Sequence, residues 1–519
     1  MAMRTRGVVA AGHAETAQAA EAVLRDGGNA FDAVVAAHLT ACVAEPVLSS
    51  LAGGGFLLAV PRQGQPVVCD FFVQTPRRKR APVDIDFRPI HADFGTARQE
   101  FHIGLGALAT PGCVRGLFEI QRELGSMPMR RLVEPAVELA RRGATINDFQ
   151  AYIFDIVHPI YLATESARAI FADPDDAEHM VGAGRRLSQP DLADTMELLA
   201  IEGADLFYRG EIAQAIASAC ASGGGHLALD DLRHYQVQWR APLTRNYRGN
   251  QILTNPPPSS GGLLIAFALQ LMESTELGAL RFGSRAHLTL LAEIMRLTNK
   301  ARIEAHLSAV EPLAEHVLLD PDLIALYRAQ VLGRAAALRG TTHVSVIDEH
   351  GNVASMTASN GEGCGHIVAG TGIMLNNMLG EEDLNPGGFH RWRPDSRMTS
   401  MMAPSVVLRP EGARIALGSG GSNRLRSAIL QVLSNVIDFD MPLETAVCAP
   451  RIHIEGEHIS IESGYSRDVL NHLQDEYPQH TLWPEMNLFF GGAHTVSQRS
   501  REFHGTGDPR RGGVAIVVD

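Results

Sequence analysis

The sequence predicts a mixed α/β protein that is rich in helices in its first part and rich in strands in its second. Up to about residue 340 most segments show helical periodicity and are closed by glycine, whereas short runs of β-branched residues dominate from residue 341. The chain has 519 residues, more than a single core usually serves. We therefore expect two domains or one large α/β body, with a change of character near residue 340.

The first part opens with two predicted helices. Residues 13–28 carry apolar residues along one face and end at a glycine pair, and residues 30–46 are apolar nearly all round, which is typical of a buried helix. A glycine-rich turn then leads into a predicted strand at 51–60. This turn lacks the lysine and the strand–turn–helix order of a phosphate loop, so we interpret it as structural.

The middle of the chain is predicted to be mostly helical. Residues 110–240 contain several periodic segments, and 246–262 read as a strand that runs into a Pro-Ser-Gly loop. Further helices are predicted at 263–274 and 285–307. From residue 341, a long helix at 424–438 interrupts the predicted strands THVSVID, VASMTAS, GIMLNN, SVVLR, ARIALGSGG, HISIES and GVAIVVD.

Composition excludes several classes of protein. The formal net charge of −13 argues against a nucleic-acid partner, and the one basic run, PRRKR at 76–80, is interpreted as a solvated loop. There is no apolar run long enough to cross a membrane, and the first residues lack the features of a signal peptide. Six scattered cysteines fit reduced thiols in a cytoplasm. We expect no metal site and no cofactor, because neither the cysteines nor the cluster of His343, Asp348, Glu349 and His350, three of which lie in a predicted turn, has metal-type spacing.

The strongest local pattern is a β-hairpin at 342–359. Its two strands are separated by the turn-rich DEHGN, and centring the turn on His350 pairs Ile347 with Val353 and Ser345 with Ser355. The same register places Thr341 opposite Ser359, and a slip of one residue would separate them.

Thr341 would become a strong nucleophile if the peptide bond before it were cut. The freed α-amine, with an ordinary pKa of roughly 7.7–8.0, would be a base tethered to the hydroxyl. Gly340 would place no side chain against the carbonyl of that bond. Taken alone, however, Thr341 and Thr342 are more typical of an ordinary strand start.

The wider set of motifs resembles the γ-glutamyltransferase (γ-glutamyl transpeptidase) family. The resemblance covers nearly the whole chain, and it rests on GGNAFDAVVAA, GGGFLLAV, ATPGCVRGL, NPPPSSGG, GTTHVSVIDEHGNVASMT and GSGGSNR, in the order of the family. It implies an N-terminal-nucleophile (Ntn) hydrolase with a four-layer αββα sandwich. It also implies a precursor that cleaves itself between Gly340 and Thr341 into a large subunit, 1–340, and a small subunit, 341–519.

The resemblance assigns the catalytic positions. Thr341 corresponds to the nucleophile of both processing and catalysis. Ser359 falls where the family has a threonine that hydrogen-bonds this nucleophile. Backbone N–H groups of Gly421 and Ser422 correspond to the oxyanion-stabilising loop, where only an N–H is required.

The expected contacts to a glutamyl group depart from the family. The candidate substrate-binding positions are Phe72 (arginine in the family), Gly361 (asparagine), Met378 (glutamine), Glu381 or Glu382 (the amine-binding acid), Ser400 (serine) and Met401 (serine). A buried carboxylate without its arginine costs several kcal/mol, so we expect specific binding of a free glutamyl head group to be lost. Phe72, Met378 and Met401 would make the pocket softer and more apolar. The linker at 385–397 is shorter than is usual in the family, which would make the site more open. Compensation by other residues stays open, with Arg77, Arg78 and Arg397 as candidate cations and Glu362 and His366 as new polar groups.

The sequence therefore predicts a self-processing amidohydrolase or acyltransferase that acts on a small-molecule amide through a threonyl acyl-enzyme, with an acyl specificity other than γ-glutamyl. Two alternatives stay open. One is a genuine γ-glutamyl transferase or glutathione hydrolase, and the other is a non-processing homologue that serves as a binding or assembly subunit. The expected partners are the two subunits of one precursor, with no nucleic acid and no membrane, and homo-oligomer formation is left open.

Overall fold

Two β-sheets stacked face to face form the centre of the protein. The computed structural model describes residues 5–93, 98–308, 319, 341–385 and 387–519. Gly340, the predicted position before the cleaved bond, and the predicted linker at 329–340 lie outside the described residues. No described helix is both long enough and apolar enough to cross a lipid bilayer.

The described strands are short and most of them are antiparallel to their neighbours. They are β1 (Gly7–Ala11), β2 (Gly54–Val60), β3 (Val67–Asp70), β4 (Arg88–Asp93), β5 (Arg98–Ile103), β6 (Ala144–Thr145), β7 (Ala172–Asp173), β8 (Asp176–Met180), β9 (Arg186–Leu187), β10 (Gln238–Arg240), β11 (Leu243–Tyr247), β12 (Asn250–Thr254), β13 (Thr342–Asp348), β14 (Val353–Ser359), β15 (Ser405–Leu408), β16 (Arg414–Gly420), β17 (Ile452–Glu455), β18 (His458–Glu462), β19 (Gln479–Trp483), β20 (Gly492–Arg499), β21 (Glu502–Thr506) and β22 (Val514–Val518).

The described α-helices lie mainly in the first part of the chain. They are α1 (Ala14–Arg25), α2 (Ala30–Ala44), α3 (Cys113–Leu124), α4 (Met129–Arg142), α5 (Asp148–Tyr161), α6 (Glu165–Phe171), α7 (Pro190–Glu202), α8 (Asp205–Tyr208), α9 (Glu211–Gly223), α10 (Leu229–Arg233), α11 (Gly261–Glu273), α12 (Arg285–Ser308), α13 (Arg424–Ile437), α14 (Leu443–Cys448) and α15 (Arg467–Glu476).

Both central sheets mix strands from the two parts of the chain. The seven-stranded sheet has the order β10-β3-β2-β14-β13-β1-β22, and the six-stranded sheet has the order β11-β12-β15-β16-β20-β21. Each therefore combines strands that precede residue 340 with strands that follow it. The change of character near residue 340 therefore marks a boundary in the sequence and not a boundary between two separate domains. Of the two arrangements expected from the sequence, the structure shows one large α/β body.

Helices cover the outer face of each sheet. Helices α1 to α4 share one apolar core with the seven-stranded sheet, while α11, α12 and α13 share another with the six-stranded sheet. A third core, which includes Val8, Phe56, Val406 and Val496, lies between the sheets. The layer order is therefore helix–sheet–sheet–helix, as predicted.

Most elements expected around the hairpin are confirmed. The helices at 13–28, 30–46 and 424–438 are α1, α2 and α13, and β13 and β14 have the predicted bounds. All fifteen residues of α2 are buried, which explains its lack of a polar face.

The strand predicted from GIMLNN, residues 372–377, is wrong. Met374 and Leu375 form only isolated bridges, with Ile367 and Ala52. The side-chain amide of Asn376 donates to the carbonyls of Ala52 and Ala109, at 2.8 and 2.9 Å. These side-chain bonds to the backbone tie the segment down as a loop, and such bonds compete with a strand ladder.

Candidate active site

The predicted hairpin register is confirmed. Ile347 pairs with Val353 and Ser345 pairs with Ser355. Thr341 immediately precedes β13 and Ser359 is the last residue of β14, so the same register continues to this pair. Thr341 and Ser359 are each only 5% exposed, and both line one small cavity.

The Asp348 side chain explains why DEHGN forms a tight turn. Its Oδ1 accepts from the backbone N–H of His350 and Asn352, at 2.9 and 3.0 Å, and its Oδ2 accepts from the N–H of Ala30, at 3.0 Å. Gly351 has a φ of 85°, a conformation that glycine adopts without a steric penalty. The turn is thus fixed locally and anchored to the first residue of α2.

A buried histidine joins the hairpin to the second sheet. His343 lies within hydrogen-bonding distance of the Thr357 and Ser345 hydroxyls, 2.8 Å in each case. A Cβ on Gly418 of β16 would lie 2.3 Å from its ring, so the ring packs directly on that glycine. Burial lowers the pKa of His343 well below its ordinary value, aided by nearby His494, so the ring is neutral and acts as a packing and hydrogen-bonding group.

The cavity beside Thr341 has a volume of about 30 Å³, which is room for one or two water molecules. Its walls are apolar and acidic, with hydroxyl groups between them. The lining residues are Phe72, Thr341, Ser359, Met378, Glu381, Asp383, Leu384, Ser400, Met401, Met402, Ser422 and Leu425. None of these described lining residues is an arginine, lysine or histidine.

The glycine-rich loop lies directly against the Thr341 backbone. Strand β16 ends at Gly420, and a Cβ there would lie 2.1 Å from the Thr341 carbonyl oxygen. Only glycine allows the two backbones to approach this closely.

The next two residues turn the chain into α13. Gly421 has a φ of 119° and Ser422 a φ of 53°, an uncommon value for a residue with a side chain. The Ser422 hydroxyl donates to Asp383, which also accepts from the Asn423 amide at 3.3 Å. Ser422 lines the cavity, whereas Gly421 lies outside the lining set. The positive end of the α13 dipole, near Asn423, lies close by and favours negative charge.

Phe72 fills the position that the sequence comparison assigned to an arginine. It is fully buried and stacks on Phe56, with 5.3 Å between the ring centroids. Arg397 is buried beside it and is already engaged, because its guanidinium donates to the Phe72 carbonyl and lies 3.4 Å from Asp70. Arg77 pairs with Asp395 at 3.1 Å, and both of these side chains are exposed. Neither arginine reaches the cavity.

Gly361 has neighbours that leave no room for an asparagine. Its φ is 67°, and an added Cβ would lie 2.1 Å from Oδ1 of Asn377 and 2.3 Å from Oε1 of Glu381. Its N–H donates to the Ser359 hydroxyl at 2.9 Å, and the carboxamide of Asn377 accepts from the N–H of Glu362 at 2.9 Å. The position where the family has an asparagine therefore holds a glycine whose neighbours, Asn377 and Glu381, occupy the space of a side chain.

Ser400 and Met401 are held by the Pro-Ser-Gly loop that follows β12. The Ser400 carbonyl accepts from the hydroxyl of Ser259 at 2.9 Å and from the N–H of Ser260 at 2.8 Å. A Cβ on Gly261 would lie 2.0 Å from the Met401 carbonyl, so this glycine is needed for the packing. The loop thus forms the rigid back of one cavity wall.

The remaining predicted residues separate into two groups. Met378 and Glu381 line the cavity, while Glu382 is exposed. Glu362 is buried but lies outside the lining set, and its charge acts on Arg511. His366 lies 3.4 Å from Asp86 and is engaged in that pair.

Sequence reasoning missed several lining residues. Asp383, Leu384, Met402 and Leu425 contribute to the wall without having been proposed. Asp383 and Leu384 follow directly after the proposed pair Glu381 and Glu382, and Leu425 follows the glycine-rich loop. The one feature of the sequence that could have indicated these lining residues is that they lie next to residues already proposed for the site.

Known proteins are similar to this chain over most of its length. The family model described as Gamma-glutamyltranspeptidase matches residues 16–518. The Acylase ACY 1 proenzyme of Pseudomonas sp. (strain V22) is 31% identical over 90% of this chain and 86% of its own. The Glutathione hydrolase proenzyme of Escherichia coli (strain K12) is 29% identical over 97% of this chain and 90% of its own.

A solved structure shows the same fold. The cephalosporin acylase from Bacillus halodurans superposes with a TM-score of 0.86 at 22% identity, covering 99% of this chain and 96% of that chain. The four-layer arrangement seen in the two sheets and their helices is therefore that of a known enzyme fold.

Proposed function

Since this chain belongs to the gamma-glutamyltranspeptidase family of Ntn hydrolases, we propose that Thr341 is the nucleophile of a self-processing amidohydrolase whose acyl specificity is not γ-glutamyl. The observation that carries the proposal is that Thr341 and Ser359, at the open end of the hairpin, line one cavity whose described lining has two acidic residues and no cationic one.

The precursor has the groups needed for self-cleavage. The Thr341 hydroxyl would attack the carbonyl carbon of residue 340, forming an ester as the C–N bond breaks, and its proton would pass to the released nitrogen. Water would then hydrolyse the ester, leaving a carboxylate on residue 340 and a free α-amine on Thr341. The products are a large subunit, 1–340, and a small subunit, 341–519.

Catalysis would reuse the same hydroxyl. Its oxygen attacks the substrate amide carbonyl while the Thr341 α-amine takes the proton and delivers it to the departing amine. The N–H groups of Gly421 and Ser422 would stabilise the oxyanion, in line with the approach of this loop to Thr341. Water resolves the acyl-enzyme and regenerates the hydroxyl.

The charge of the cavity supports the departure from γ-glutamyl substrates. A glutamyl head group carries an ammonium and a carboxylate. Glu381 or Asp383 could hold the ammonium, but the described lining offers no cation for the carboxylate, which would lie near two like charges. At 4 Å, one like-charge pair near a protein surface costs about 4 kcal/mol. Phe72, Met378 and Met401 give the wall beside Thr341 an apolar surface, which favours contact with an apolar acyl group. An acylase proenzyme is among the relatives of this chain, at an identity similar to that of the glutathione hydrolase proenzymes.

A panel of anilide substrates tests the proposal. The purified protein would be assayed with a γ-glutamyl anilide, with anilides of apolar acyl groups, and with dicarboxylic and oxamate-like amides, each also against Thr341→Ala. We expect turnover of a non-glutamyl amide at a kcat/KM roughly 100-fold or more above that of the γ-glutamyl anilide, and none with Thr341→Ala. Selective turnover of the γ-glutamyl anilide would instead establish a genuine γ-glutamyl transferase or hydrolase.

A further inference from the structure

Two buried charged side chains contact the Thr341–Thr342 dipeptide. Nη1 of Arg511 donates to the Thr341 carbonyl at 3.2 Å. The Thr342 hydroxyl donates to Oε2 of Glu45 at 3.0 Å. Neither Arg511 nor Glu45 lines the cavity beside Thr341. Both therefore contact the dipeptide on a side other than the one that faces the cavity.

Arg511 reaches the dipeptide through a path lined by glycine. Its stem runs over Gly492, where a Cβ would lie 2.6 Å from the Arg511 Cδ. Its guanidinium lies beside Gly420, where a Cβ would be 2.9 Å from Nη1. The side chain is only 3% exposed. It therefore touches both the nucleophile residue and the strand end that leads into the oxyanion loop.

The charge on Arg511 is retained although it is buried. Burial lowers the pKa of Arg511 to about 10, and the carboxylates of Glu362, Asp508 and Glu45 counteract this effect. The guanidinium is thus a cation at neutral pH, and a cationic donor makes a stronger hydrogen bond to a carbonyl than a neutral one.

Glu45 is equally well fixed. It follows the last residue of α2, is 5% exposed, and accepts a second hydroxyl, that of Thr16, on Oε1 at 2.9 Å. Gly12 packs against the carboxylate, since a Cβ there would lie 2.7 Å from Oε2. Both carboxylate oxygens are engaged, so the group has one orientation from which to hold Thr342.

We propose that Arg511 and Glu45 are positioning residues that grip the Thr341–Thr342 dipeptide and keep the nucleophile in register once the bond before it is broken. The inference rests on the proposed function. Cleavage removes the covalent tether on the amino side of Thr341, so the contacts made by its carbonyl and by the next side chain then carry more of its positioning. A reacting atom displaced by about 1 Å can lose roughly 100-fold in rate, so these attachments matter for turnover.

The isosteric substitution Thr342→Val tests the grip, with Thr342→Ser as the conservative rescue. Thr195→Val is the matched control, because Thr195 is a buried threonine on α7 whose hydroxyl also donates, to the Thr371 carbonyl at 3.0 Å. For each variant, the melting temperature, the rate of self-cleavage, and kcat and KM of the processed protein would be measured.

We expect Thr342→Val to lower kcat roughly 10-fold to 100-fold with little change in KM, the range for losing a hydrogen bond to a charged group. Thr342→Ser should stay near the wild type, and Thr195→Val should lose stability alone. Arg511→Met should reproduce the kcat defect, and Arg511→Lys should restore part of it.

A Thr342→Val enzyme that loses stability like Thr195→Val but keeps the wild-type kcat would overturn the inference. A failure of Arg511→Met to fold leaves the test to the Thr342 variants, of which Thr342→Val keeps the shape of the side chain. If the wild type carries no Thr341-dependent activity, the proposed function itself fails, and the inference falls with it. An active wild type with unaffected Thr342 variants refutes the grip alone.

Discussion

Gly420→Ala is expected to slow self-cleavage about 100-fold. An alanine Cβ at this position would lie 2.1 Å from the Thr341 carbonyl oxygen, whereas real Cβ atoms essentially never come closer than 3.0 Å. The two backbones must therefore separate by about 0.9 Å, the difference between those distances. A misplacement near 1 Å can lower a rate about 100-fold, equivalent to about 2.7 kcal/mol of activation free energy.

The assay follows loss of the precursor on denaturing gels and by mass spectrometry, which gives a first-order rate constant. Gly182→Ala is the matched control, because among the described residues no neighbouring atom lies within 4 Å of a Cβ there, and its φ is not positive. We expect the control to process like the wild type. A Gly420→Ala protein that processes within threefold of the wild type would refute the close approach of this strand to the nucleophile.

Three further predictions concern the site and its surroundings. Ser359→Ala should slow both cleavage and turnover roughly 10-fold to 100-fold while Ser359→Thr should not, and equal rates would rule out a role for the hydroxyl. Asp383→Asn weakens its bonds to Ser422 and Asn423, so kcat should fall about 10-fold with KM little changed; a change in KM alone would contradict this. Burial lowers the pKa of His494 to about 4, against an ordinary value near 6.5. Between these values the unfolded chain binds the extra proton, so stability should fall as the pH drops, by about 1.2 kcal/mol from pH 7 to pH 5.5 for this residue. Melting curves at pH 7 and 5.5 should show a smaller difference for His494→Gln, and an identical difference would refute the assignment.

The local features of the site could be predicted from the sequence. The hairpin and its register follow from strand periodicity and from a turn that Asp348 and Gly351 fix within a few residues. Helix α2 is apolar on every side, and it is buried on every side. Such features depend on neighbours in the sequence, which a pattern can report.

The long-range contacts could not be predicted. Arg511 is 170 positions from Thr341, and Glu45 is 297 positions from Thr342. Nothing in either local pattern indicates that the chain brings them together, because that depends on how the two sheets stack. At 372–377 the local pattern itself gave a wrong prediction. This apolar run has the composition of a strand, but the Asn376 side chain hydrogen-bonds the backbone of distant residues and holds the segment as a loop.

The central claim, that Thr341 is made into a chain terminus and then acts as the nucleophile, is tested most directly by the masses and N-terminal sequences of the purified wild type and Thr341→Ala. The account predicts two wild-type fragments that meet between Gly340 and Thr341, with the smaller one beginning at Thr341, and a single uncut Thr341→Ala chain. A wild-type chain that stays intact while hydrolysing amides, or one cut at another bond, would contradict it.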